Sequence, residues 1–144
     1  YGGGNAVADE GTSRCEGATY TTLKEPVDKI QITSKFGPRW GRIHYGLDMG
    51  APMGSNIYAA DDGVVYYSGY CGGYGNLIKI DHGNGMQTYY AHCSELVAGN
   101  GQNVKCGDLI GRIGSTGNST GPHLHFEVII NGVRVDPLDF LDLQ

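Results

Sequence analysis

The sequence predicts an all-β domain of mostly antiparallel sheets, a sandwich or a partly open barrel, and three observations predict it. Short runs rich in β-branched and tyrosine residues recur between turn dipeptides. Glycine makes up 25 of the 144 residues, roughly one in six against a usual ~7%. These glycines have no three-residue period, which removes collagen, and they sit between β-branched and tyrosine-rich runs, which removes disorder. Helix-period patterning is nearly absent. A chain of 144 residues is one domain's worth and can bury about two-thirds of the surface its unfolded form exposes.

The elements follow in order. Tyr1-Gly-Gly-Gly-Asn5 is a flexible opening, and no periodic apolar pattern precedes Val27. Residues 1–28 are therefore expected to be an arm or linker, and residues 29–144 the domain. Lys29 to Thr33 alternates, Ser55 to Ala60 is a short extended run, and Asp61-Asp62-Gly63 turns into the strand Val64 to Tyr70. Cys71 to Gly75 reads as a loop. Leu77 to Asp81 and Met86 to Cys93 flank His82-Gly83-Asn84-Gly85, and Asn-Gly between alternating runs is the strongest short-range hairpin signal. Leu109 to Gly114 is another strand, Ser115 to Pro122 a loop, and His123 to Ile130 the longest strand. Asn131-Gly132 turns that strand into Val133 to Val135, and Leu138 to Leu141 is expected to close the chain with a helical turn.

Charge and cysteine content narrow the classes. Ten Lys and Arg against fifteen Asp and Glu give a net charge of −5, the wrong sign for a nucleic-acid footprint. No basic amphipathic stretch suits an anionic lipid surface, and no apolar run approaches the ~18 residues of a membrane span. Cys15, Cys71, Cys93 and Cys106 form an even set without a Cys-x-x-Cys pair, so disulfides or buried thiols are expected rather than a structural zinc site. Disulfides would imply an oxidising, extracytoplasmic compartment. Cys71 with Cys93 is the favoured pairing, because both close strands that can be neighbours.

The chemistry is carried by histidines. Alternation from His123 puts His123, His125, Glu127 and Ile129 on one strand face and Leu124, Phe126, Val128 and Ile130 on the other. Two imidazoles at i and i+2 point the same way and suit one metal ion. His44 and Asp48 flank Gly46 and can converge from a turn or bend, although Asp48 also suits a turn before Met49-Gly50. His92 ends a strand, and His82 at the hairpin mouth has the look of a plain hydrogen-bonding histidine. Two histidines and one carboxylate with an open position suit Zn²⁺ and hydrolysis. His44, Asp48 and one of His123 and His125 fit as ligands, which leaves two histidines for acid–base work. Glu127, on the face of His123 and His125, can orient a histidine from behind or remain a solvated rim carboxylate.

His44-Tyr45-Gly46-Leu47-Asp48, then Tyr90-Ala91-His92, then Gly121-Pro122-His123-Leu124-His125-Phe126-Glu127 resemble the lysostaphin-type, or LytM-like, zinc metalloendopeptidases. The resemblance runs from near Ile32 to Leu141 and includes the Ile78 to Gly83 hairpin strand and the Ser115 to Gly121 loop. It implies Zn²⁺ held by His44, Asp48 and His125, with His92 and His123 as the non-ligand catalytic pair. It also implies a duplicated-hybrid-motif-like fold with an open groove, and hydrolysis of stem or cross-bridge peptides in bacterial peptidoglycan outside the cytoplasm. The alternative is a catalytically silent relative that binds the wall or regulates another hydrolase. Groove walls are expected from Ser34 to Ile43, Ser68 to Gly75 and Ser94 to Asn103, with Trp40, Tyr70 and Tyr74 as candidate packing surfaces.

Overall fold

The computed structural model describes residues 22–141. Its strands are β1 (Ile32–Ser34), β2 (Gly37–Arg39), β3 (Arg42–His44), β4 (Leu47–Gly50), β5 (Asn56–Tyr58), β6 (Gly63–Tyr70) and β7 (Asn76–Gly83). There follow β8 (Met86–Cys93), β9 (Glu95–Leu96), β10 (Asn103–Val104), β11 (Leu109–Arg112), β12 (His123–Ile130) and β13 (Val133–Val135). Short 3-10 turns cover Gly72–Tyr74 and Pro137–Asp139. The main sheet runs β1-β4-β12-β8-β7-β6-β10, with β13 beside β12; β5-β11-β9 forms a second sheet and β2-β3 a separate hairpin. Every strand ladder is antiparallel. The all-β architecture is as the sequence predicts, open and not closed into a barrel.

Apolar alternation explains the layers. Leu124, Phe126 and Val128 of β12 are fully buried, as are Leu47 and Met49 of β4, Tyr90 of β8, and Ile78 and Ile80 of β7. They form one cluster with Ile57 of β5 and Ile110 of β11, so the second sheet covers the inner face of the first. Each such side chain contributes about 1.5–3 kcal/mol of burial. The outward positions of the central strands, among them Asp48, His123 and His125, are left to build a site. Leu23 and Val27 are also buried in this cluster, and Leu23 N–H donates to Phe140 C=O at 2.6 Å. The rest of the expected arm, with Cys15, lies outside the described residues.

Tight turns hold the register. Asn84 and Gly85 have φ of 53° and 80°, and Asn131 and Gly132 have 50° and 83°, the paired positive values that a two-residue hairpin turn requires. Trp40 and Gly41 repeat the pattern at 51° and 78°, which makes the β2–β3 hairpin. Trp is not a turn-forming residue, so the sequence reads as a loop over Ser34 to Ile43, where the structure has this hairpin, and carries no strand signal for β4. Asp48 lies inside β4 and not in a turn.

Inside the molecule, a directed hydrogen-bond chain ties β7 and β8 to the loop before β6. Ala60 N–H donates to Tyr90 OH at 3.0 Å, Tyr90 OH to Thr88 Oγ at 2.6 Å, and Thr88 Oγ to His82 Nε2 at 2.7 Å. His82 Nδ1–H donates to Asp62 C=O at 2.7 Å. The carbonyl end fixes the direction: Nδ1 must carry the proton, so Nε2 of the neutral ring accepts from Thr88, which is left to accept from Tyr90. His82 is thus a structural, neutral imidazole, and burial pushes its pKa down to about 4.

The expected Cys71–Cys93 pair does not form, and both thiols are free. Cys93 lies opposite Asn76 in the ladder and is wholly buried. Cys71 is carried out beyond the strand end by the turn in which Tyr74 and Gly75 bond back to Cys71 and Gly72.

Candidate metal centre and active site

Strand β12 lies between β4 and β8, with His125 opposite Asp48 on one side and Ala91 on the other. Cross-strand partners share a face, so the Asp48 carboxylate meets the His125 ring, Oδ1 to Nδ1 at 2.8 Å. His44 ends β3, and its Nε2 lies 3.3 Å from Asp48 Oδ2. Gly46 makes this convergence possible. A Cβ there would lie 2.7 Å from both His125 Cε1 and Phe126 O, so only a residue without a side chain lets the backbone pass over the imidazole.

One ligand atom from each of His44, Asp48 and His125 lies within 4.8 Å of the others. Their remaining bonds aim those atoms inward. His44 Nδ1–H donates to Lys35 C=O at 2.9 Å, which leaves Nε2 for a cation. His125 Nε2–H donates to Glu127 Oε2 at 2.8 Å, which leaves Nδ1. Two imidazole nitrogens and a carboxylate oxygen, open towards a groove, are a donor set that fits Zn²⁺. Burial would raise the Asp48 carboxyl, but the hydrogen bond and charge of His125, with the charges of His44 and His123, hold it below the usual carboxylate range. Burial alone would lower His125, yet the two flanking carboxylates lift its pKa to about 9. A metal ion bound here would take the place of the proton that His125 Nδ1 shares with Asp48.

Glu127 is 2% exposed and lies on the site face, behind His125. Tyr74 OH donates to its Oε2 at 2.9 Å and Arg134 Nε to its Oε1 at 3.0 Å. These groups, led by His125, outweigh burial and keep the Glu127 carboxyl ionised. The solvated-rim reading of Glu127 is therefore excluded. Tyr74 arrives from the Gly72–Tyr74 turn, where Asn118 N–H donates to Gly73 C=O at 2.8 Å. Gly75 and Gly117 pack so closely that a Cβ on Gly117 would stand 2.4 Å from Gly75 N.

His92 and His123 stand beside this cluster with ring centroids 4.8 Å apart, and His92 is 6.0 Å from the His125 ring. His92 Nδ1–H donates to Thr116 C=O at 2.6 Å and His123 Nδ1–H to Gly121 C=O at 2.9 Å. Both rings thus keep Nε2 as the unprotonated nitrogen when neutral. Burial, with His123 and His125 nearby, pushes the His92 pKa below its ordinary value. A β-bulge explains its position. Between the Ile78–Tyr90 and Asn76–Cys93 pairs, β8 has one residue more than β7, and His92 takes φ 66°. The bulge returns Cys93 to the core and turns His92 towards the site.

A groove of about 500 Å³ runs over these residues, lined also by Arg39, Gly73, Tyr74, Asn118, Ser119 and Thr120. Two of the three expected walls contribute. The third, Ser94 to Asn103, does not; its place is taken by 118–120. Tyr74 lines the groove, whereas Trp40 (96% exposed) and Tyr70 (63% exposed) project into solvent. Sequence reading missed Arg134 and the role of the 118–120 loop, and the Glu127–Tyr74 contact joins residues 53 positions apart, with no local signal.

The family profile described as Peptidase family M23 matches residues 42–137, a span that contains all five site residues. The chain is 47% identical over 121 residues to the DD-carboxypeptidase/endopeptidase Mpg of Neisseria meningitidis, covering 79% of this chain and 28% of that protein. It is 42% identical over 122 residues to the peptidoglycan DD-endopeptidase ShyC of Vibrio cholerae, covering 80% and 28%. The chain thus spans little more than a quarter of the length of these relatives. Among solved structures, a zinc-containing peptidase from Vibrio cholerae superposes with TM-score 0.77 at 38% identity, covering 85% of this chain and 41% of that one. The catalytic domain of lysostaphin from Staphylococcus simulans gives 0.71 at 33% identity, covering 76% and 90%. On this match and on the fold, the chain belongs to peptidase family M23.

Proposed function

We propose that this chain is a zinc-dependent endopeptidase that hydrolyses stem or cross-bridge peptides of bacterial peptidoglycan outside the cytoplasm. The observation that carries the reading is the pairing of two groups in one groove. His44, Asp48 and His125 offer three metal ligands, and beside them His92 and His123 each keep Nε2 free of any backbone partner. The names of the Neisseria and Vibrio relatives support the substrate class. In this reading His44 Nε2, Asp48 and His125 Nδ1 hold the ion, and Glu127 fixes the His125 tautomer. Zinc bound there supplies a Lewis acid that polarises the scissile carbonyl and acidifies a water. One of His92 and His123 accepts a proton from the attacking water. The other, when it carries a proton on Nε2 as an imidazolium, hydrogen-bonds to the developing oxyanion or gives that proton to the departing amine. Water adds to the carbonyl carbon, the C–N bond breaks, and the amine leaves with the proton. The shared position of the two rings does not divide the roles between them.

The test is metal content followed by loss of turbidity of purified cell walls. About one zinc per chain is expected, with lysis abolished by a chelator and restored by zinc. Zinc-free protein that lyses no wall at any metal supplement would favour the silent, wall-binding alternative. Mass spectrometry of fragments from walls of defined cross-link type names the bond.

A further inference from the structure

The groove contains a single Lys or Arg side chain, Arg39. It ends β2, exposed to solvent, opposite Arg42 across the Trp40–Gly41 turn. Its Nη1 donates to Ser34 Oγ. Ser34 is the β1 residue opposite Asp48, so this bond draws the guanidinium back towards the strand that bears the metal-site carboxylate. No carboxylate of the described residues pairs with it. A guanidinium presents five N–H donors in a planar fork matched to a carboxylate, and most of them face the groove or solvent unused. The turn that places Arg39 keeps Trp40 at φ 51°, a left-handed conformation that non-glycine residues seldom adopt.

A cation without an acidic partner beside a peptide-binding groove is suited to a substrate carboxylate. On the acyl side of a scissile bond the backbone carboxyl is consumed, because it is the scissile carbonyl. Only the residue released as the amine can carry a free backbone carboxylate next to the bond. We propose that Arg39 binds that carboxylate and makes peptides with an unblocked carboxylate on the leaving residue the preferred substrates. The proposal rests on the peptidase reading above, and it gives Arg39 a part in binding and selectivity, with no bond made or broken at its atoms.

The zinc-loaded chain is assayed on a synthetic peptide ending in two D-alanines, as the C-terminal acid and as the C-terminal amide. The acid should be favoured in kcat/KM by ~3- to 30-fold, the range of a charge-assisted hydrogen bond weakened by exposure. Arg39→Met should bring the ratio within about twofold of one, and Arg39→Lys should leave an intermediate value, since a point charge lacks the fork. Arg42→Met, which removes the same charge from the far side of the turn, should keep the ratio. Binding is read separately from turnover by calorimetric titration of each peptide into the protein. Equal binding of acid and amide by the wild-type protein overturns the proposal, as does an Arg39→Met variant that weakens both alike with the ratio intact. Preferential binding of the acid, without cleavage of either peptide and without lysis of purified cell walls, upholds Arg39 and removes the peptidase reading instead.

Discussion

Replacing Gly46 by Ala adds one methyl group at the one point where the chain crosses the His125 ring. No positive φ is required there, so alanine can adopt the backbone conformation and the effect is steric alone. The new Cβ would stand 2.7 Å from His125 Cε1, 2.9 Å from His125 Nε2 and 2.7 Å from Phe126 O. Ordinary contact begins near 3.4 Å, so something must yield by about 0.7 Å. Phe126 C=O belongs to the central strand β12 and cannot move without disturbing its ladders to β4 and β8. His125 is held on both sides, by Asp48 and by Glu127, each at 2.8 Å. The ring is the part that turns, and its turning misaims Nδ1. Loss of a ligand's supporting geometry costs about 10- to 100-fold in metal affinity, and overpacking costs roughly 1–3 kcal/mol of stability. Chelator competition for zinc and urea unfolding of the metal-free protein measure the two separately. A Gly46→Ala protein with zinc affinity within twofold of wild type and an unchanged urea midpoint would refute the reasoning.

Other outcomes follow from the same geometry. Glu127→Ala should weaken zinc about 10- to 100-fold, while Glu127→Gln, whose amide oxygen still accepts from His125 Nε2–H, should recover part of that loss; equal affinities for wild type and Glu127→Ala by chelator competition would contradict this. His92→Ala should retain zinc yet lose roughly 10²- to 10⁴-fold in turnover of a soluble cell-wall peptide, and a loss of zinc in step with activity would speak against a proton-transfer role. His82 has a folded pKa near 4, below the ~6.5 of an unfolded histidine, so the unfolded chain takes up the proton first. Its contribution is complete above about pH 6.5 and is lost as pH falls towards 4, by at most ~3 kcal/mol. Urea unfolding of chelated protein at several pH values should show that loss in wild type and a flatter dependence in His82→Gln; identical slopes would contradict it.

The strand that carries the site was the most legible part of the sequence. In His123 to Ile130 the apolar partners Leu124, Phe126 and Val128 are fully buried, so period-two alternation leaves His123, His125 and Glu127 no face but the outer one. Asp48 was legible as a residue but not as a strand position. Leu47 and Met49 alternate around it and are fully buried, yet β4 has four residues, the last a glycine, directly after Gly46, too short a run to be told from a turn. The β2–β3 hairpin was invisible because Trp40 occupies a turn position that normally selects asparagine or glycine. His92 was placed at a strand end, but the bulge that turns it into the site depends on how β8 pairs with β7, which no local pattern carries. Arg134 is seven positions from Glu127 across the β12–β13 hairpin and was within reach of hairpin register, whereas Tyr74 meets Glu127 from 53 positions away. That second contact exists only once the sheet is assembled.

The four site histidines differ less in their surroundings than in what each holds with its second nitrogen. His44, His92 and His123 each donate to a backbone carbonyl, of Lys35, Thr116 and Gly121. A carbonyl fixes the tautomer but adds no full charge to the ring's surroundings. His125 donates to an ionised, buried carboxylate, and that charge raises its basicity towards a cation. The distinction sorts His125 from His92 and His123, which stand within 6.0 Å of it or of each other. His44 falls on the ligand side for another reason, the Asp48 carboxylate 3.3 Å from its free nitrogen. Proximity to Asp48 decides in the same way for His123, whose Nε2 is 3.8 Å from Oδ1. At that distance it is close enough to be steadied by the carboxylate and too far to bond to it. In the assignment proposed above, two carboxylates, Asp48 on the groove side and Glu127 behind, would divide metal binding from proton transfer among like side chains.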